Sequence, residues 1–365
     1  MSEWQTFCLK DLGKIVGGAT PPTNNPKNYG NKIAWITPKD LSTLQGRYIK
    51  KGSRSISRLG FKSCSCVLLP KHAILFSSRA PIGYVAIAKK RLCTNQGFKS
   101  IIPNKKIYFE FLYYLLKYHK DNISNIGGGT TFREVSGATL GLFKVKIPPT
   151  YYEQQKIART LSILDQKIEN NHKINELLHT LAYKIYEYYF KYKPKNAKLE
   201  QIIIENPKSS IMVKNAQKTQ DKYPFFTSGD NIPSYPKAII DGRNCFLNTG
   251  GNAGIKFYVG KASYSTDTWC ICANEFSDYL YLLLSSIKTH INQSFFQGTS
   301  LKHLQKNLLK KYPIYMPSAH EIKKFNQIIM PLLTLISINT RTSKKLEQIR
   351  DFLLPLLLKQ QVKPQ

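Results

Sequence analysis

A chain of 365 residues has room for two domains of ordinary size, and a hydrophobic content of 42% supplies enough aliphatic and aromatic side chains for packed cores, which excludes wholesale disorder. The formal net charge is +32, distributed as +18 over residues 1–150, +2 over 151–193, +7 over 194–318 and +5 over 319–365. Such a field attracts polyanions, nucleic acid first among them, although a proteome that runs basic throughout gives the same sign.

No run of about eighteen apolar residues occurs, and Met1 to Lys10 holds no signal-peptide core, so a soluble cytoplasmic protein is expected. Cysteines stand at 8, 64, 66, 93, 245, 270 and 272, and none forms the C-x-x-C pair of a zinc knuckle or redox site. Cys64/Cys66 and Cys270/Cys272 are spaced like alternate residues of a strand, as small buried hydrophobes would be.

Residues 1–150 read as a mixed α/β unit. Gly17-Gly18-Ala19-Thr20-Pro21-Pro22 is a turn-rich opening, and Ile33 to Ile36 a short strand before Pro38. A basic stretch follows with Arg47, Tyr48, Lys50, Lys51, Arg54 and Arg58. It is either a solvated loop or a phosphate-binding, groove-facing surface. Cys66 to Leu69 and Ala73 to Phe76 have strand character; Ser77 to Ala88, with Arg79 and Gly83, gives a turn and another strand. Thr94-Asn95-Gln96-Gly97-Phe98 comes next, then a short helix from Tyr108 to Lys120. Gly127-Gly128-Gly129-Thr130-Thr131-Phe132-Arg133 is a hydroxyl-bearing loop upstream of a strand from Phe143 to Ile147.

Tyr151 to Lys193 has the longest unbroken periodicity. Steps of four and three give Ile157, Leu161, Leu164, Ile168, Asn171, Asn175, Leu178, Ala182, Ile185 and Tyr189, the seam of a long helix that pairs with another. Thr150 and Glu153 form the cap signature, and Pro194 marks the end. The segment would be roughly 65 Å long.

Residues 194–318 repeat the order of the first unit. Pro224 to Asp230 opens it, Cys245 to Phe257 stands where the stretch around Gly83 stood, and Ser265 to Thr268 where Thr94 to Gly97 stood. A helix from Asp278 to His290 leads to Gly298-Thr299-Ser300-Leu301-Lys302, partner of the Gly129 to Arg133 loop. The helical seam then recurs 168 residues on, at Phe325, Ile329, Leu332, Ile336, Asn339, Ser343, Leu346 and Leu353, behind Ser318 and Glu321. Cap, seam and polar break at one constant offset indicate a duplicated unit. Pro331 and Pro355 lie inside the second helix, where a kink or early end is expected, and Arg350 replaces Ala182.

These motifs, in this order, resemble the specificity subunit of a type I restriction-modification system. The resemblance covers essentially the whole chain: Gly18-Ala19-Thr20-Pro21, Ala80-Pro81-Ile82-Gly83, Thr94 to Phe98, Gly129-Thr130-Thr131, then Ile147-Pro148-Pro149 with Glu153-Gln154-Gln155-Lys156-Ile157-Ala158, and Phe226 to Gly229. A departure is Ile322-Lys323-Lys324 where the first repeat has Gln154-Gln155-Lys156. The resemblance implies an α+β architecture: two similar mixed α/β target recognition domains, 1–150 and 194–318, separated by two long antiparallel helices, 151–193 and 319–365. They form a coiled-coil spacer with an internal pseudo-two-fold repeat. It further implies that each domain reads one half of a bipartite site in double-stranded DNA, and that the chain assembles with adenine-methylating modification subunits and translocating, cutting restriction subunits. S-adenosylmethionine, ATP and Mg2+ would then reside on those partners and none on this chain.

Catalytic signatures are missing. Ile147-Pro148-Pro149-Thr150 lacks the polar residue and the aromatic that flank Pro-Pro in an adenine methyltransferase site, and the glycines at 250, 251 and 254 are not followed by G-K-S/T. The seven histidines are scattered singly, and His72 and His303 read as surface or packing residues. A non-catalytic chain is therefore expected, with a basic nucleic-acid-binding scaffold lacking restriction-modification partners as the alternative. DNA contacts are expected from Arg47, Tyr48, Lys50, Lys51, Arg54, Arg79, Thr130, Thr131 and Arg133 in the first domain. In the second they are expected from Ser228, Asp230, Asn252, Lys256, Thr299, Ser300 and Lys302. Asn171 and Asn339 either fix the helix register or face solvent.

Overall fold

The computed structural model describes residues 3–79, 81–128, 133–216 and 222–364. The chain divides into two compact units, Met1–Asn170 with Ser343–Gln365, and Asn171–Thr342.

In the first unit, strands β1 (Gln5–Cys8), β2 (Gly13–Gly17), β3 (Tyr29–Ile36), β4 (Tyr48–Ile49), β5 (Arg54–Ile56), β6 (Ile74–Phe76), β7 (Val85–Ala88), β8 (Cys93–Thr94) and β9 (Lys99–Pro103) precede helix α1 (Phe109–Asn125). Strand β10 (Lys144–Ile147) leads into the long helix α2 (Tyr151–Tyr186). One sheet has the order β2-β9-β6-β7-β4, a second β5-β3-β8, and β1 pairs with β10. Ile74, Phe76, Ile87 and Ile101 form the buried face on which α1 lays Phe111, Leu112, Leu115 and Leu116. Burying each such side chain contributes about 1.5–3 kcal/mol before entropy is counted. The expected strand at Cys66 to Leu69 reduces to one bridge, Leu69 to Leu92, and Cys66 turns its thiol onto the Ala19 carbonyl at 3.0 Å. Helix α1 runs past Lys120 because fully buried Ile123 extends its apolar face by a turn.

The second unit holds β11 (Ala197–Lys198), β12 (Ile204–Glu205), β13 (Tyr223–Phe226), β14 (Ser234–Tyr235), β15 (Arg243–Asn248), β16 (Ile255–Val259), β17 (Ser263–Tyr264) and β18 (Thr268–Cys272). Helix α3 (Ser277–Ser286), strands β19 (Phe296–Gln297), β20 (His303–Leu304) and β21 (Pro313–Ile314), and helix α4 (Ala319–Leu358) follow. The helix expected from Asp278 to His290 breaks at Ile287. Ser286 turns its hydroxyl back onto the Leu283 carbonyl at 2.6 Å, and a separate short helix covers Lys288–Ser294.

The topology is duplicated. The run β2-β9-β6-β7 recurs as β12-β18-β15-β16, and β1 with β10 recurs as β11 with β21. The parallel pairing of Trp35 with Cys93 and Ile36 with Thr94 recurs as Phe225 with Ser263 and Phe226 with Tyr264. Helices α1 and α3 begin at positions that correspond at the same 168-residue offset as the long helices.

Both long helices start on their caps: the Glu153 N–H donates to Thr150 Oγ1 at 3.2 Å, and the Ser318 N–H to Glu321 Oε2 at 3.0 Å with a return bond of 3.4 Å. Helix α2 passes into a π turn at Glu187–Lys191. Helix α4 neither stops at Pro331 nor at Pro355 but runs to Leu358. Each proline removes one N–H donor, and buried Ile329, Leu333, Leu354 and Leu357 hold the helix on either side.

Within each unit the helix segments run antiparallel. In the first, Ile157 and Leu161 of α2 share a core with Leu353, Leu354, Leu357 and Leu358 of α4, while Asp165 meets Arg350 at 2.7 Å. Ile168 is buried, and Leu164 and Leu346 are half-buried. In the second, Ala182 and the half-buried Leu178, Ile185 and Tyr189 pack with Phe325, Ile329, Leu332, Leu333 and Ile336. There Asn339 donates to Asn175 at 2.9 Å, and Asn175 donates to the Ile336 carbonyl at 3.3 Å, so Asn339 is a register contact rather than a solvent-facing break. Asn171 is half-buried.

Candidate nucleic-acid interface

Residues that a strand's end delivers to a shared loop cluster are placed by the strand's own hydrogen bonds, so the register above fixes where the loops meet. In the first unit the turn after β6 is tied on both sides. The Ser78 N–H donates to the Gly97 carbonyl at 2.8 Å, and the Ser78 carbonyl accepts from the Val135 N–H at 2.9 Å. Gly128 and Glu134 exchange both backbone bonds at 3.1 and 2.9 Å. The turn itself closes on Ser77, whose hydroxyl donates to the Pro81 carbonyl at 2.7 Å and accepts from the Tyr84 N–H at 2.8 Å, with Gly83 at φ +100°. The Gly18-Ala19-Thr20 segment joins through the Ala19 N–H, which donates to the Thr94 carbonyl at 3.0 Å. A Cβ on Gly18 would stand 2.0 Å from the Asn95 carbonyl oxygen, so only glycine fits there.

The second unit builds the same cluster with other letters. The Thr249 N–H donates to the Asp267 carbonyl at 3.2 Å, the Thr249 carbonyl accepts from the Leu304 N–H at 3.0 Å, and the Gly251 N–H donates to the Lys302 carbonyl at 2.9 Å. Ser228 bridges them: its hydroxyl donates to the Asp267 carbonyl and accepts from the Thr249 N–H at 3.2 Å. Ser78 and Thr249, Gly97 and Asp267, and Val135 and Leu304 thus hold equivalent places.

The expected contact residues fall into three groups. Lys50, Lys51, Arg54, Arg133, Asp230, Asn252, Thr299, Ser300 and Lys302 are exposed, and Arg133, Asp230, Asn252 and the 299–302 segment sit on or beside the two loop clusters. Lys50 and Lys51 follow β4, and Arg54 pairs with Trp35 on the second sheet, so these three belong to a neighbouring edge rather than to the cluster. Thr130 and Thr131 lie outside the described residues.

The remaining residues are occupied. Arg47 is only 3% exposed: its Nε donates to Glu169 at 3.1 Å, its Nη1 to Glu110 at 3.0 Å, and its own N–H to Glu169 at 2.9 Å. Burial works against its charge, but neighbouring Tyr114, Glu169 and Asp165 outweigh that and hold the guanidinium firmly protonated. Tyr48 donates its hydroxyl to the same Glu110 at 2.5 Å. Arg47 and Tyr48 therefore leave the set of groove-facing residues, because a guanidinium this deeply buried and turned onto carboxylates is not presented to a phosphate, and the Tyr48 hydroxyl is turned onto Glu110. Lys256 spends its ammonium on the Thr227 and Gly229 carbonyls at 2.7 and 2.6 Å and on Asn248 at 3.5 Å. Burial lowers its pKa, with Asp230 and Asp267 opposing, and its work is to hold two loops of the cluster together. Arg79 is half-buried and pairs with Glu134 at 3.8 Å, as Lys99 does at 3.3 Å.

Among the described residues, no group of three or more His, Cys, Asp or Glu side chains is placed to hold a metal ion, and no helix is long and apolar enough to cross a membrane. The clusters offer backbone amides, hydroxyls, an amide side chain and cations on glycine-bearing turns, which is the chemistry of hydrogen-bonded recognition.

Comparison with known proteins agrees with the duplication. The family model described as a type I restriction modification DNA specificity domain matches twice, over residues 1–180 and 195–348. The type I restriction enzyme MjaIX specificity subunit of Methanocaldococcus jannaschii is 32% identical over 98% of this chain and 93% of its own length. The type I restriction enzyme HindI specificity subunit of Haemophilus influenzae is 30% identical over 46% of this chain and 37% of its own length. The crystal structure of a type I restriction-modification system S subunit from M. genitalium superposes with a TM-score of 0.65 at 17% identity, over 97% of this chain and 96% of that one.

Proposed function

This chain belongs to the family of type I restriction-modification specificity subunits, and from that premise we propose that its two loop clusters each read one half of a bipartite site in double-stranded DNA. The observation that carries the reading is the duplicated loop cluster. One hydrogen-bonding framework, Ser78 to Gly97 and Val135, and Thr249 to Asp267 and Leu304, presents different exposed side chains in each unit. A common scaffold with different letters suits two readers of different base sequences. Exposed lysines and arginines, within a net charge of +32, supply the phosphate attraction.

The long helices set the spacing of the half-sites. At 1.5 Å per residue α2 measures roughly 54 Å, enough to bracket half-sites one duplex turn, about 34–36 Å, apart. Their faces outside the seam dock the modification subunits, which with the restriction subunits carry S-adenosylmethionine, ATP and Mg2+. The chain itself catalyses nothing and works in the cytoplasm, where the duplex is.

Mapping N6-methyladenine in cells with and without this chain tests the reading. A split motif with a fixed gap, present only with the chain, is expected. An unchanged map, or a contiguous motif, refutes it, and tighter binding of structured RNA than of duplex would favour a general basic scaffold.

A further inference from the structure

In each unit an arginine that the reading of bases does not use links a strand to a domain helix and a long helix; Arg47 is buried and Arg243 half-buried. In the first, Arg47 precedes β4 and joins Glu110, in the first turn of α1, to Glu169 on α2. Its backbone N–H adds a third bond to Glu169 at 2.9 Å. In the second, Arg243 opens β15 and makes a two-pronged pair with Asp278, in the first turn of α3. Its Nη1 then donates to Thr334 Oγ1 at 3.0 Å and its Nη2 to the Met330 carbonyl at 3.2 Å, both on α4. Beside it, the Val259 N–H donates to Ser337 Oγ at 3.0 Å, one repeat on from Glu169.

Glu110 and Asp278 stand 168 residues apart and are equivalent, but Arg47 and Arg243 are not: they come from β4 and from the counterpart of β6. The two units reach one geometry, strand to domain helix to long helix, through cations at unrelated positions. A packing contact carried over by duplication would keep both partners. A buried ion pair is also a poor way to gain stability, since apolar packing of equal volume serves as well or better. What a forked guanidinium supplies that a leucine does not is direction.

We infer that Arg47 and Arg243 are positioning residues which fix the angle of each reading-loop cluster on its long helix, so that the gap between half-sites is read to a single base pair. The inference rests on the bipartite reading above. One base pair more or less moves a half-site by about 3.4 Å and turns it by roughly a tenth of a revolution, which loosely packed domains would follow and directionally held ones do not.

The test uses the full chain assembled with its modification subunits, and duplexes with the mapped gap or with one base pair added or removed. Thr334→Val removes the side-chain acceptor on the helix, leaving the Met330 carbonyl and the Arg243 to Asp278 pair in place; Glu169→Gln weakens the first clamp without creating a cavity. Methylation at the mapped gap over the altered gaps should fall about fivefold or more in each, while discrimination against a single wrong base within either half stays as in the wild type. Arg243→Lys, which keeps the charge and loses the fork, should behave like Thr334→Val. Unchanged gap preference in variants that melt like the wild type overturns the inference, and so does a parallel loss of gap and base discrimination. A wild-type map without a split motif refutes instead the bipartite reading on which it rests.

Discussion

The sharpest consequence of the duplicated helices concerns one spot that the two units fill in opposite ways. In the first unit Asp165, 5% exposed, accepts from Tyr114 Oη at 2.5 Å and from Arg350 Nη1 at 2.7 Å, with Arg47 Nε at 3.9 Å. Moving by the 168-residue repeat, the three partners Tyr114, Asp165 and Arg350 correspond to Leu282, Leu333 and Ala182, all buried in the core of the second unit. Arg350→Ala alone leaves Asp165 enclosed with one hydroxyl and a distant guanidinium. Breaking a buried pair from one side costs about 3–5 kcal/mol, which in a unit of this size lowers the melting midpoint by roughly 6–15 °C. The triple variant Tyr114→Phe, Asp165→Leu, Arg350→Ala imports the second unit's residues at 165 and 350 and removes the Tyr114 hydroxyl that would lose its acceptor. It trades a larger side chain for a smaller one across the pair and leaves Arg47 its bonds to Glu110 and Glu169. Its stability should return to within about 1 kcal/mol of the wild type. Thermal and urea denaturation followed by circular dichroism reads both. A triple variant as unstable as Arg350→Ala would refute the reasoning, because the network would then be a source of stability rather than a satisfied burial cost.

Two further outcomes follow from the site and the caps. Arg133→Ala and Lys302→Ala should weaken binding of every duplex about equally and flatten the dependence of binding on salt by about one unit of slope, read by fluorescence anisotropy between low and moderate salt; sequence-dependent losses would make them base readers instead. Glu321 is drawn down to about 2 from its ordinary 4.5, first by the Ser318 N–H and then by the Tyr315 hydroxyl. Its folded pKa is the lower one, so its contribution is present above the ordinary value and lost as pH falls from about 4.5 towards 2. Solvent screening limits it to roughly 1 kcal/mol, and Glu321→Gln should flatten the stability profile in that window alone.

What was legible in the sequence is what depends on near neighbours or on a constant period. The caps at Thr150 and Ser318, the seam positions buried at Ile157, Leu161, Phe325 and Ile329, and the glycine turns at Gly18 and Gly83 each follow from a few consecutive residues. The burial of Arg47 is not legible because its partners lie 63 and 122 residues away, and a cation in a run of cations looks solvated until its carboxylates are found. Lys256 carries the same lesson, since main-chain carbonyls have no letter in a sequence at all. The prolines of α4 mislead in the other direction. A proline rule weighs one lost hydrogen bond, while the helix is held by the side chains buried around it.

Arg350 shows where a repeat helps and where it stops helping. Aligning the two helices marks it at once as the residue that breaks the pattern, standing where the first copy has Ala182. The alignment cannot say that the break is answered by Asp165, because that residue's own counterpart, Leu333, is an ordinary seam neighbour and raises no flag. In an antiparallel pair built from two copies, a substitution in one helix is compensated at the mirror position of the other. The two changes sit 185 residues apart in the chain although they touch in space. Such an irregularity is therefore read as a pair related by the helix register, as Arg350 and Asp165 are, and not residue by residue along one helix.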